Sequence, residues 1–113
     1  MYIILLKYIK PLQAVEQAIP AHIVYLDKYY DQGKFIVSGR KNPRDGGVIL
    51  CVAKDRKEVE TIILEDPFHI NSIAEYEIIE FLPTKYAKEL EQFVCQSTGL
   101  FGARLTEVID LTY

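Results

Sequence analysis

Cysteine is scarce in this chain, and its scarcity excludes two classes of protein at once. Only Cys51 and Cys95 occur among the 113 residues. Two cysteines are too few for a disulfide framework, and these stand far apart and fit no metal-ligand spacing. Histidine is as rare, with His22 and His69 alone. No metal ion and no organic cofactor is therefore expected. Positive charge is thin as well: 13 Lys and Arg face 16 Asp and Glu, for a net charge of −3. Nucleic-acid affinity rests on many cations releasing counterions from phosphate, so nucleic acid is not an expected partner. Long apolar runs are missing too. None approaches the roughly 20 residues that span a bilayer, which excludes a membrane helix as an expectation. The apolar stretch at residues 2–6 lacks a positive n-region and an A-x-A-like cleavage site, so it reads as a first strand and not as a signal peptide. With no export signal, both thiols are expected to be reduced and the protein cytoplasmic.

Apolar residues are abundant, at 50% of the chain, and charged residues make up 26%. That composition specifies one folded domain and argues against disorder. A domain this small buries only about two-thirds of its unfolded surface. An extra apolar face shared with a second subunit would fit that shortfall.

The order of elements follows from changes of period. Residues 2–8 alternate as a strand. Val15, Ile19, His22, Ile23, Leu26 and Tyr30 recur at three- and four-residue steps, which marks one helical face. Pro20 interrupts that pattern, and a proline inside a helix removes a hydrogen bond. The expectation is a helix that begins near Pro20, with residues 12–18 a separate turn or short helix, and Gly33 as its C-terminal glycine. Strands are expected at 34–38 and 48–53, with Gly46-Gly47 marking the reversal before the second. Asp55 is set to cap a helix over Arg56–Leu64, whose inner face is Val59, Ile62 and Ile63. Residues 69–73 read as a loop and 74–82 as a fourth strand. A third helix is expected at 84–96, a turn at 99–102 and a short strand at 104–112.

The succession is β-α-β-β-α-β, the ferredoxin-like pattern of an α+β domain. Both helices would lie on one face of a four-stranded antiparallel sheet. Apolar residues on both sides of several strands suggest that the other face is covered as well, as in a homodimer. Residues 1–83 hold this pattern, and 84–113 extend it within the same domain.

Few residues offer chemistry. His22 lies on the apolar helix face. It can be a core histidine bonded to a backbone carbonyl, or a general base looking into a pocket. His69 falls in a loop and is expected to be exposed. Asp66 precedes a proline at a helix exit. It can be a turn aspartate bonding its own backbone, or a carboxylate that fixes a histidine tautomer. The stretch "SGRKNPRDGG" at 38–47 sets three cations between two apolar segments. It can be an ordinary polar turn, or a loop that holds an anion. Arg40 is the cation nearest the strand end, and Lys41 is expected to face solvent.

Three stretches carry a family resemblance: "PAHIVYL" at 20–26, "GKFIVSGRKNPRDGGVIL" at 33–50 and "EDPF" at 65–68. Together they resemble the YciI family, also called the YCII-related domain, over about residues 1–83. Its members share a helix with H-x-x-Y-L, a strand ending in S/A-G, a V-I-L strand and a D-P-F element, in that order. The resemblance implies a dimeric α/β barrel, two ferredoxin-like subunits packed sheet to sheet. It also implies a pocket between helix and sheet with a His-Asp catalytic pair, which falls on His22 and Asp66. Ser38 and Gly39 would line the mouth as ligand-binding residues, with Arg40 nearby. One departure stands out. Many relatives carry an arginine shortly before the histidine, where this chain has Ala18-Ile19. An anionic ligand would then need Arg40 or Arg44. The GTP cyclohydrolase label often attached to relatives does not fit, because the chain has no Cys/His metal set and no phosphate-cradling glycine loop.

Three functions remain open at this point. The first is a small cofactor-free isomerase or lyase that uses His22 and Asp66 for proton transfer on a small anionic or cyclic molecule. The second is a non-catalytic ligand binder with the same pocket. The third is a structural dimer module in which His22 is a core residue.

Overall fold

The N-terminal apolar run forms β1 (Tyr2–Tyr8), and the rest of the sheet is built outward from it. The structure, a computed structural model, describes residues 1–98. β1 pairs antiparallel with β3 (Gly46–Cys51) on one side and with β4 (Ala74–Glu80) on the other. β2 (Phe35–Arg40) pairs with the outer side of β3, which gives the order β2-β3-β1-β4. α1 (Leu12–Asp31) joins β1 to β2, and α2 (Arg56–Leu64) follows β3. A single turn, α3 (Pro67–Ile70), leads into β4. A 3-10 turn at Lys88–Leu90 and α4 (Glu91–Thr98) close the described part. The architecture is α+β with ferredoxin-like topology, as the succession of periods implied.

Alternation along the strands decides which face holds the core. Tyr2, Ile4 and Leu6 are buried, while Ile3 and Leu5 between them are half-buried. Ile49 and Cys51 of β3 and Phe35 of β2 face the same way as Ile4. They meet Val15, Ala18, Tyr25 and Tyr29 of α1 and Val59, Ile62 and Ile63 of α2 in one continuous core. Gly46 is required by close approach: a Cβ there would sit 1.8 Å from the Leu6 carbonyl oxygen. Gly46 and Gly47 are strand residues, and the reversal falls at 41–45 before them.

α1 departs from the expected boundary. It runs unbroken through Pro20. Proline gives the Glu16 carbonyl no donor, a loss worth about 3 kcal/mol in a helix interior. Burial on both sides of the break outweighs it: Val15 and Ala18 precede Pro20, Tyr25 and Tyr29 follow, and all four lie in one core. The buried face is also rotated from the expected one. Ile23 is exposed, whereas Ile19, Leu26 and Tyr30 flank the core. The helix ends in a Schellman motif. Gly33, at φ +72°, donates to the Tyr30 carbonyl, and Lys34 N–H donates to that of Tyr29.

α2 has the expected bounds. Its N-cap Asp55 accepts from Glu58 N–H at 2.9 Å, and the Glu58 carboxylate accepts from Lys54 N–H at 2.8 Å. The segment expected as a third helix differs. Residues 84–87 are not helical, and α4 starts only at Glu91. Val94 is buried with Met1 and Val52, against Ile36 and Leu50. Leu50 lies opposite in phase to Ile49 and Cys51, so α4 packs on part of the sheet face that α1 and α2 leave open. The turn and strand expected at 99–102 and 104–112 lie outside the described residues.

Candidate active site

The site grows from a two-residue detail, Asp66-Pro67. Asp66 is the N-cap of α3, and Pro67 takes the first helical position, where its missing N–H costs nothing. Asp66 Oδ1 accepts the backbone N–H of Phe68 at 2.9 Å. So far this is the local capping bond of a turn aspartate. The same oxygen, however, lies 2.7 Å from His22 Nδ1 on α1, and Asp66 Oδ2 accepts from the Tyr76 hydroxyl at 2.7 Å. Asp66 is fully buried, with 0% of its surface exposed. Its two oxygens therefore meet three donors, from α1, α3 and β4. Buried carboxylates are tolerated only when satisfied in this way.

The imidazole is fixed on two sides. The carboxylate accepts from Nδ1–H, which leaves Nε2 as the nitrogen with a free lone pair in the neutral ring. Phe68 lies flat on the imidazole, with centroids 4.0 Å apart and planes 3° apart. Tyr25 stacks more distantly at 5.9 Å, and its hydroxyl donates to the Ile62 carbonyl at 3.0 Å. Burial, with the Asp66 charge close by, holds the Tyr76 and Tyr25 hydroxyls far above the usual phenol range, so both remain donors.

The imidazole lines a cavity of about 300 Å³ between α1 and the β2–β3 hairpin. Apolar walls come from Leu6, Tyr8, Ile19, Leu26, Ile49 and Phe68, and the polar lining from Ser38, Arg40, Arg44 and His22. Among the described residues, no carboxylate lines it. A β-bulge aims the strand residues. Register shifts between Phe35 and Val37, so Ser38 pairs with Ile49 and Arg40 with Gly47. Without that extra residue, simple alternation from the buried Phe35 would turn Val37 and Gly39 inward. With it, Val37 is exposed and Ser38 faces α1, its hydroxyl 2.6 Å from that of Tyr30.

Each residue singled out in the sequence can now be placed. His22 and Asp66 are in direct contact, and Ser38, Gly39 and Arg40 line the cavity. Arg40 is not alone there, because Arg44 also reaches the cavity. Lys41 does not; it lies 4.0 Å from Asp45 within the hairpin. His69 is exposed, with its ring 5.8 Å from that of Tyr76. Tyr76 is the site residue that sequence reasoning missed, and Arg44 was named there only as an alternative to Arg40. Inward alternation of Tyr76 with Ala74 and Ile78 was a signal for the first. Nothing local marks the second. Among the described residues, no cluster of three His, Cys, Asp or Glu side chains is placed to hold a metal ion.

A ferredoxin-like domain with an imidazole–carboxylate pair at a helix–sheet cavity defines the class, a small α+β protein with a ligand-sized pocket. The profile of the YCII-related domain matches residues 1–82, and the chain belongs to that family. No curated protein matches the chain. Among solved structures, it is similar to 5-chloro-2-hydroxyhydroquinone dehydrochlorinase (TftG) from Burkholderia phenoliruptrix AC1100, in complex with 2,5-dihydroxybenzoquinone. The TM-score is 0.62 at 20% identity, over 79% of this chain and 98% of that one. A likeness at that identity shows a shared fold.

Proposed function

We propose that the chain is a small cofactor-free enzyme of the isomerase or lyase type. It acts on a small cyclic molecule by proton transfer next to a carbonyl or phenol. The observation that carries this reading is the 2.7 Å contact of His22 Nδ1 with Asp66, at the wall of a ligand-sized cavity. His22 Nε2 takes the proton from carbon, and the electron pair moves into the carbonyl to give an enolate. Asp66 holds the imidazole in the required tautomer and offsets the charge that develops on it. Arg40 stabilises the enolate oxygen, with Ser38 and Gly39 shaping the mouth beside it. Return of the proton to a different carbon completes an isomerisation; departure of a leaving group completes an elimination. A base poised in this way contributes roughly 10²–10⁴-fold. That a fold relative is a dehydrochlorinase seen in complex with a hydroxylated quinone supports a ring-shaped substrate.

The test uses that quinone as a probe. Loss of the ring C–H signal of 2,5-dihydroxybenzoquinone in D2O is followed by proton NMR. Acceleration by the wild-type chain that falls at least 100-fold in His22→Gln is the expected result. Equal acceleration by the variant would rule out His22 as the base. Binding without any wild-type acceleration would leave a ligand binder in its place.

The working unit is a homodimer in this reading. Ile3, Leu5 and Val48, with the exposed Val37, Ile79 and Phe81, offer an apolar sheet face away from α1 and α2. An obligate interface buries roughly 2,000 Å² or more. Sedimentation of a monomer at micromolar concentration would contradict it. The segment from residue 84 to 98 extends the domain of residues 1–83, a reading supported by Val94, which is 1% exposed against Met1 and Val52, and the rest of the expected extension lies outside the described residues. The buried Cys51 thiol suits a reducing compartment, and the cytoplasm is the proposed location. No helix among the described residues is long and apolar enough to cross a membrane.

A further inference from the structure

The cavity carries a charge that proton transfer alone does not use. Among the described residues its lining includes two arginines and a histidine and no acidic side chain, in a chain whose net charge is −3. Arg40 makes no ion pair or hydrogen bond through its side chain among the described residues. Arg44 is held differently. Its guanidinium reaches Glu16 of α1 through Nη1 at 3.7 Å, and that carboxylate is 62% exposed. Its Nε–H is buried and has no partner. A buried guanidinium donor without an acceptor is a cost that the native fold would ordinarily remove. Nε has no accessible surface, so an oxyanion in the cavity would satisfy it once the Arg44 side chain shifts to meet the ligand. The edge of a guanidinium formed by Nε and Nη presents two parallel donors, which fit the two oxygens of a carboxylate.

We infer that Arg44 is the binding residue for a carboxylate carried by the substrate, with Glu16 as the tether that holds the arginine over α1. This rests on the cavity being the substrate site, as proposed above, but not on the reaction. It divides the two cations by role. Arg40, at the end of β2, faces the reacting oxygen, and Arg44, on the hairpin, holds a second, fixed charge. Ile19 gives an apolar wall on α1 one turn before His22, so among the described residues both arginines at the cavity come from the hairpin. The aromatic walls of Tyr8, Phe68 and His22 suit a flat ring. The substrate class is therefore a ring carboxylate.

The experiment compares two probes that share a ring, 2,5-dihydroxybenzoate and hydroquinone, by titration calorimetry with the full chain. The wild type should bind the carboxylate at least 10-fold more tightly. Arg44→Gln should abolish that preference while binding hydroquinone as the wild type does, which also certifies that the cavity is intact. Arg44→Lys keeps the charge but loses the Nε–Nη edge, and should retain only part of the preference. Lys41→Gln, on the same hairpin but away from the cavity, should keep the preference in full, and because both probes are read by binding alone, failure of the catalytic reading would leave this one standing. Equal binding of the two probes by the wild type, no binding of either, or a preference that survives in Arg44→Gln would overturn the inference.

Discussion

Removing one oxygen atom, by Tyr76→Phe, tests how Asp66 is held. Asp66 Oδ1 keeps two partners in that variant, Phe68 N–H at 2.9 Å and His22 Nδ1 at 2.7 Å. Oδ2 loses the Tyr76 hydroxyl, its donor at 2.7 Å, in a residue with 0% exposure. A hydrogen bond to a charged group contributes about 1.5–3 kcal/mol, and here the abandoned oxygen has no route to water. Tyr25→Phe is the matched control. It removes a bond to the Ile62 carbonyl, but that carbonyl also accepts Glu65 N–H at 3.2 Å and stays satisfied. Its cost should sit near the low end of a neutral bond, about 0.5–1 kcal/mol. With a urea m-value of roughly 1.5 kcal/mol/M, Tyr76→Phe should lower the unfolding midpoint by about 1–2 M. Tyr25→Phe should lower it by well under 1 M on the same scale. Urea denaturation followed by circular dichroism reads both. A Tyr76→Phe midpoint equal to that of the wild type, or a larger loss in Tyr25→Phe, would refute the three-donor account of Asp66.

Two further outcomes follow from the same structure. Pro20→Ala restores a donor for the Glu16 carbonyl on an exposed stretch of α1, and should raise stability by about 1–3 kcal/mol; a loss on thermal melting would show that the proline fits a geometry other than the one described. Burial pushes the Cys51 thiol up to about 12. A thiol-specific disulfide reagent at pH 8 should therefore leave Cys51 untouched in the native chain and modify it once urea is added. The sign for stability is set by the neutral form being favoured on folding: the contribution is full below the ordinary thiol value of 9.0 and is lost as pH rises towards about 12. Rapid native labelling of Cys51 would contradict its placement in the core.

The fold was largely legible because its signals are periodic. β1 and α2 follow from alternation and from the Asp55 cap, and the ferredoxin-like order follows once four strands and two helices are placed. Pro20 was misread because helix propensity is local, whereas the burial that overrides it joins Val15 and Ala18 to Tyr25 and Tyr29 only after the sheet has formed. The same limit explains the rotated helix face. Ile23 is as apolar as Ile19, and nothing in the period says which of them meets the sheet. At the site, His22 and Asp66 came to notice through motif resemblance, and their contact could not be read from a separation of 44 residues. Arg44 needed the hairpin path, and Ser38 and Arg40 owe their inward aim to a bulge that no residue type in "FIVSGR" announces.

The central claim is that Asp66 fixes His22 with its proton on Nδ1 and a lone pair on Nε2, ready to act as a base. Long-range proton–nitrogen correlation of the imidazole nitrogens at pH 8, in the full-length chain, reads that state directly, with the exposed His69 as reference. The expected result for His22 is a protonated Nδ1 and a bare Nε2. A bare Nδ1, or protons on both nitrogens, would contradict it.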